Sequence, residues 1–515
     1  MPTNLCVRNV EVRRPWRHAV VQLLAIAVFF LAGTRAWGAP TYTYIGGNNS
    51  VLNTTTNWSP IGPPGAVSKT VFNGTIVTSP STFNLNGNMS FGELAFQIPV
   101  ASNVITFNEV AGNLTLGNTT AIDLSNTTAN VIINVPLALF SSSPSFAINS
   151  TTTLTITGSI SGTGISQIDG GTLVLSGSNS LTSGMSLLNG TLAVNNAHAL
   201  GTGTVALGNT ALGSVSLDNT SGAAITLSTN NAISLNGTVD FLGTNNLNLG
   251  TGAVTLKGSQ QITTSAGNLT LGGTVAGNVS TVSLTKQGNG TLILGGANTY
   301  TGGTIVGAGA LALIGSGSLS SGALTLGVAG VSTGKLDISG ASGNVTLAQA
   351  VSGNGTFATG SNTLHIGASL APGFGGNAGL FTFNGDVAID ASGALNMKLN
   401  GNTTGAYDQV SLGADSDLGF APGSVIAVDL NYTPSAFDTL SLVILNGGSI
   451  TGSPTFDFSG DSLPPSLSWN TSSFPTTGDI MVVPVPEPAA CGSILGGLSL
   501  LAARAVIAGR KRLRK

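Results

Sequence analysis

Short apolar pairs on alternate residues run along most of this chain. Leu292/Leu294, Leu311/Leu313 and Leu324/Leu326 stand together in one stretch, 290–327. Alternate residues of a strand point to one face, so each pair marks a short strand with one buried side. Gly, Ser, Thr and Asn fill the gaps and punctuate turns. The same text stands earlier: 171–208 aligns with 290–327 without a gap at an offset of 119, with 15 of 38 positions identical. That identity makes Leu173/Leu175, Leu192/Val194 and Val205/Leu207 the counterparts of the later pairs. A repeat of short strands cannot bury its apolar face within one unit, so stacked units must make the core. The pattern predicts an all-β chain folded as a parallel β-solenoid.

The pairs continue at Leu114/Leu116, Leu154/Ile156, Leu247/Leu249, Leu269/Leu271 and Val345/Leu347. Residues 111–117 return unchanged as 266–272. At about 22 residues per rung and about 4.8 Å between strands, residues 101–375 give roughly twelve rungs and a rod about 60 Å long. The many Asn and Thr residues beside the strands are expected to form ladders from rung to rung. Residues 40–100 read as a capping β-region, with Trp58 closing the open end of the core. A sugar-stacking platform is the sharper reading of that Trp. A turn-rich break at 371–376 precedes a terminal β-module, 376–480, read as a few wider rungs or a small sandwich.

The two ends differ from the body. Arg8, Arg13, Arg14 and Arg17 precede an apolar run, 19–33, too short to span comfortably as a membrane helix. Residues 1–39 therefore read as a secretory signal, cut after Gly38 or Ala39. Gly38 is preferred, because a cut after Ala39 leaves Pro40 at the new end. At the other end, residues 489–509 are nearly all apolar and long enough to cross a bilayer. Arg510, Lys511, Arg512, Arg514 and Lys515 follow as a basic stop that stays cytoplasmic. Arg504 lies inside the apolar run and snorkels toward its end in this reading.

Charge narrows the function. Every Arg lies in the first 35 or last 12 residues. The body holds five lysines against 17 acids, about −12, although the whole chain sums to −3. Such a body excludes nucleic acid as a partner, because that needs clustered cations. The only cysteines, Cys6 and Cys491, sit in the end segments, so the body has no disulfide and no thiolate metal site.

Two sets of residues resemble known families. Gly288-Asn289-Gly290-Thr291-Leu292, then 298–304 (NTYTGGT), then Gly309-Ala310-Leu311 resemble the autotransporter-associated β-strand repeat. The copy at 171–208 matches less well, with Leu181 and Ser183 in place of the Tyr and the first Gly of that turn. The resemblance implies a secreted, right-handed β-solenoid without catalytic residues of its own. Pro486-Glu487-Pro488, one apolar helix at 489–509 and a basic end together resemble the PEP-CTERM sorting tail, 484–515. That resemblance implies an exosortase-type processing protease as partner. The chain would be held in the inner membrane during export and then delivered to the cell envelope or beyond.

The body offers little chemistry. A glycosidase needs two carboxylates about 5–10 Å apart. On single strands, Asp415/Asp417 would stand about 7 Å apart and Asp386/Asp390 about 13 Å. Asp415-Ser416-Asp417 reads more simply as a loop, with calcium a lesser alternative. His198 and His365 read as structural. No metal triad, nucleophile elbow or phosphate loop stands in the sequence, so no catalytic residue, metal ligand or cofactor is assigned and the chain is not expected to be an enzyme. The preferred reading is a structural or adhesin-like envelope protein. The alternatives are a glycan-binding surface module for envelope or extracellular polysaccharide and, behind it, a polysaccharide-degrading β-helix enzyme. Exposure of Tyr300 and the tryptophans discriminates the first two.

Overall fold

The computed structural model describes residues 40–485, apart from 46–51, 53–56, 61–63, 66, 74–80, 100–103, 143 and 210–212. The chain winds into a parallel β-solenoid of about thirteen turns. One column of strands runs unbroken from Ser81–Asn86 to Thr455–Asp457. Within it Thr172, Thr191, Ser216, Asp240 and Thr263 lie in successive register. A turn of the solenoid there takes 19 residues (Thr172 to Thr191) to 25 (Thr191 to Ser216).

The apolar pairs are the inward residues of these strands. Leu173 and Leu175 lie in register with Leu192 and Val194, as Leu292 and Leu294 do with Leu311 and Leu313. The third pair of each repeat belongs to another face of the same coil. Val205 and Leu207 stack between Met185/Leu187 and Ile233/Leu235, and Leu324 and Leu326 stack on Thr304 and Val306. All twelve side chains of the six pairs are buried. Between the two members of each pair stand Val174, Ala193, Ala206, Ile293, Ala312 and Thr325, of which all but Ala193 are half-buried, so burial alternates with period two.

Spacing between rungs is set by the backbone, so anything bulky at a corner must give way. Gly190 and Gly309 occupy the same place in the two repeats, both at positive φ (86° and 63°). A Cβ there would run into the carbonyls of Gly171 and Gly290 one rung below. Only glycine supplies both the left-handed backbone and the clearance.

Asparagine fastens rung to rung. Asn179 Oδ1 accepts the N–H of Ile160 at 2.8 Å while its Nδ2 donates to the carbonyl of Ala199 at 2.6 Å. Asn298, 119 residues on, accepts from Val275 N–H at 2.8 Å and donates to Ser318 at 2.7 Å. Both amides are buried. Each satisfies a backbone donor on one neighbouring rung and an acceptor on the other, groups that burial would otherwise leave unpaired. Outward ladders form as well: Asn134 Nδ2 donates to Asn108 Oδ1 at 2.7 Å and Thr157 Oγ1 donates to Asn134 Oδ1 at 2.7 Å.

Both ends of the coil are closed by aromatic side chains. Near the N-terminal end Tyr44, Trp58, Phe72, Phe83, Phe96 and Phe107 pack ring on ring, with centroids 5.0–6.0 Å apart. Trp58 is fully buried and donates from Nε1 to the carbonyl of Leu52 at 3.0 Å. It therefore presents no face to a sugar. Beyond residue 376 the columns continue as wider turns, Leu395 to Ile426 and Ile426 to Phe456. Thr439–Ser441 and Leu467–Asn470 then flank Asp479–Pro484 in a small antiparallel sheet. A short helical turn, Phe474–Thr477, inserts Phe474 between Phe420 and Phe456. Among the described residues no helix is long and apolar enough to cross a membrane. The signal with its Gly38/Ala39 cleavage point lies outside the described residues, as do Pro486-Glu487-Pro488, the segment 489–509 and the basic end.

An alanine at Asn298 strands a buried N–H and a buried C=O at once. At about 1–3 kcal/mol for an unsatisfied buried group, Asn298→Ala should lower unfolding stability by roughly 2–3 kcal/mol. Asn195→Ala, which removes only exposed bonds with Thr220 whose groups water can take over, should change it by about 0.5 kcal/mol or less. Urea unfolding of both variants checks this; equal effects would refute the stapling role.

Candidate functional site

Burial decides what each polar residue can do. Tyr300 lies inside the coil, with its hydroxyl 2.6 Å from Thr304 Oγ1. Burial pushes its phenol above the ordinary tyrosine value, while hydrogen bonding to Thr304 and Ser320 works against the shift. It is a core residue, with no face free for a ligand. Trp469 is half-buried and stacked on Phe458 at 5.1 Å. The aromatics singled out in the sequence and described in the structure are thus committed to packing.

The carboxylates pair across rungs. Asp417 stands next to Asp386, whose Oδ1 accepts the Asp417 N–H at 3.1 Å, because Val387 and Leu418 are in register. Asp417 Oδ1 also accepts Ser449 Oγ at 2.5 Å. Asp415 sits in the turn before the strand, at φ 58°. Asp390 pairs instead with His365 Nδ1 at 2.8 Å, and His198 Nε2 meets Ser228 Oγ at 2.9 Å. The stacking of rungs therefore reorders the pairs that spacing along a strand suggested. Among the described residues no group of three or more His, Asp or Glu side chains is placed to hold a metal ion.

The lysines serve cohesion. Lys69 bridges Glu93 at 2.7 Å and Asp123 at 3.3 Å, one and two rungs away. Burial pulls its ammonium down, but Glu93 and then Asp123 outweigh that and leave it above the usual lysine value. Lys398 donates to Asp408 Oδ2 at 2.9 Å and to the carbonyl of Pro372 at 2.7 Å. Asp408 is fully buried and also accepts the N–H groups of Gly379 and Lys398, each at 2.8 Å. Burial still raises its carboxyl above the ordinary value against those bonds. Asp408 lies in the Tyr407-Asp408-Gln409-Val410 segment and ties the 379 and 398 chains together.

Lys286 is the residue that period-two reading missed. It points inward in the column Ile262, Lys286, Val306, fully buried. Its Nζ donates to the carbonyls of Gln287 and Gly288, each at 2.8 Å, and of Ala308 at 3.0 Å. The only signal in the sequence is its place two residues after Leu284, where an apolar partner belongs. Three carbonyls replace the water of a charge that cannot reach solvent.

Burial pushes the Lys286 ammonium down to about 8 from 10.5. The folded chain thus releases this proton before the unfolded chain does, and between those values the unfolded state holds more protons. Stability should therefore rise as pH climbs from about 8 to 10.5, by at most on the order of 3 kcal/mol. The three carbonyls favour the ammonium and make that an upper figure. Lys286→Met should remove this rise. Urea midpoints at pH 7.5, 9 and 10.5 check it, and parallel curves for the two proteins would contradict it.

The passenger-associated-transport-repeat family model matches residues 165–194 and 284–313. These are the same two places, 119 residues apart, that carry Leu173/Leu175 with Leu192/Val194 and Leu292/Leu294 with Leu311/Leu313. No curated protein matches the chain. Over the matched residues the chain is similar to the repeat of passenger proteins, and this likeness points to a passenger-like protein of the secreted or surface type.

Proposed function

We propose that this chain is an exported structural or adhesin-like protein of the cell envelope, without catalytic activity, and that its C-terminal tail sorts it. The observation that carries the reading is where the polar side chains go. Asn179, Asn298, Lys286, Lys398 and Asp408 are all spent on neighbouring rungs rather than gathered at an opening. A rod built in this way offers a long, regular, acidic surface on a rigid core, which suits display better than turnover. The passenger-type repeat supports export, and with it the right-handed coil expected from the resemblance.

The tail supplies the fate of the chain. Pro486-Glu487-Pro488 precedes an apolar segment and five cations at 510–515. In this reading the apolar segment halts the chain in the inner membrane, and the basic end holds the cytoplasmic side. An exosortase-type protease then cuts near the Pro-Glu-Pro motif and frees the solenoid to the envelope or the medium. Small antiparallel strands close the coil at Asp479–Pro484, so a cut at 486–488 falls beyond the last described strand.

The intact mass of the protein recovered outside the inner membrane tests this. Loss of 1–38 or 1–39 and of about the last 30 residues, 486–515, is the expected result. A full tail retained in the membrane fraction would overturn sorting and leave a single-span protein with a β-solenoid ectodomain.

A further inference from the structure

One groove combines hydroxyls and amides with an exposed apolar edge. It lies across the strands Gly355–Ala358 and Leu380–Asn384 and the chain on either side of them, with a volume of about 430 Å³. Small-ligand sites span about 300–1,000 Å³. Asn354, Thr356, Leu380, Thr382, Thr404 and Gln409 are among its walls, and no charged residue lines it. Thr356 and Thr382 are in register on adjacent strands, facing outward, and Ser411 continues the same column. Leu380 is 42 % exposed, an apolar edge beside these hydroxyls and amides.

The loop that supplies Thr404 also touches a second feature. Asn402 donates to Asp438 Oδ1 at 2.9 Å. Asp438 further accepts the N–H of Ser435 at 2.8 Å and the hydroxyl of Tyr432 at 3.4 Å. These bonds fix the turn that presents Phe437, whose ring is 69 % exposed and whose φ is 75°. A bulky residue in the left-handed region is strained, and such strain persists where the surroundings impose it, often at binding sites. Most of this side chain lies outside the packing.

We propose that the groove at Thr356 and Thr382, together with Phe437 on the turn that Asn402 ties to the 400–406 loop, binds a neutral polysaccharide. A pyranose ring carries an apolar C–H face and a rim of hydroxyls. The apolar face suits Phe437 and Leu380; the hydroxyl rim suits the Thr, Asn and Gln groups. Lys335, in register with Thr356 on the preceding strand, is paired with Asp337 at 2.8 Å; the lining itself carries no counter-charge for an anionic chain, and the body's 17 acids against five lysines repel one. The rigid 400–406 turn, closed by Asn400 N–H to Ala406 and Ala406 N–H to Thr403, each at 2.9 Å, holds the wall in place without a ligand. The proposal goes beyond surface display and needs only that this face be outside the cell.

Affinity electrophoresis of the full chain in gels containing dextran, a mannan or a β-glucan, with alginate as the anionic control, tests it. At least one neutral polymer should retard the protein, and alginate should not. Thr382→Arg, an outward substitution, should reduce retardation at least tenfold in apparent affinity. Phe437→Gly relieves the left-handed strain, so it should keep or raise the melting temperature while losing retardation. No retardation by the neutral polymers, preference for alginate, or variants within twofold of the parent would overturn the proposal. So would self-association on size exclusion that Thr382→Arg abolishes, which would assign the groove to a second copy. Retention of the tail in the membrane would defeat the sorting reading and leave these results untouched.

Discussion

The backbone ladder between rungs is the constraint on which the rest depends. A parallel coil fixes the distance from one turn to the next at the hydrogen-bonding separation of strands, about 4.8 Å. Within that limit each inward residue must stack on another of similar size, and each corner must let two backbones pass. Leucine on leucine in register, as in Leu173 on Leu192 and Leu292 on Leu311, meets the first demand. Glycine at 190 and 309 meets the second. The buried amides of Asn179 and Asn298 meet a third, because a corner that leaves the ladder still carries N–H and C=O groups that need partners.

The consequence is a protein whose unusual side chains work inward. Lys286 is held by three carbonyls inside the core, and Asp408 by two N–H groups and an ammonium. Such groups are costly to bury and tolerate little rearrangement, since removing one partner leaves the other unpaired. They define register where the apolar pairs alone would allow a slip. What remains outward is mostly small and uncharged along the strands, and acidic elsewhere. The groove at Thr356 and Thr382 joins such an uncharged lining to the exposed edge of Leu380.

Much of the fold was legible because period two and an exact 119-residue offset are both visible in one sequence. The apolar pairs named the inward residues, and the turn residues named the corners. What could not be read was which rung meets which. Asp386 and Asp417, 31 positions apart, become neighbours only through the register of Val387 with Leu418, whereas Asp415 and Asp417 diverge at a left-handed turn. Lys286 was hidden because a charged residue on an inward position breaks the pattern that defines inwardness. The groove was hidden for a related reason: Thr356, Thr382 and Thr404 are ordinary threonines until three separate turns of chain are brought together. Trp58 and Tyr300 illustrate the converse, residues conspicuous in the text that the fold uses as packing.

The central claim is that one coil, closed at both ends by aromatic caps, accounts for the described chain. Small-angle X-ray scattering of the exported protein tests it most directly. A monomeric rod roughly 60–80 Å long, its longest dimension unchanged as concentration rises, is what stacked rungs about 4.8 Å apart and closed ends predict. A longest dimension that grows with concentration would show that the ends are open and stack. A two-lobed profile would show that the wider turns beyond residue 376 are not a continuation of the same coil.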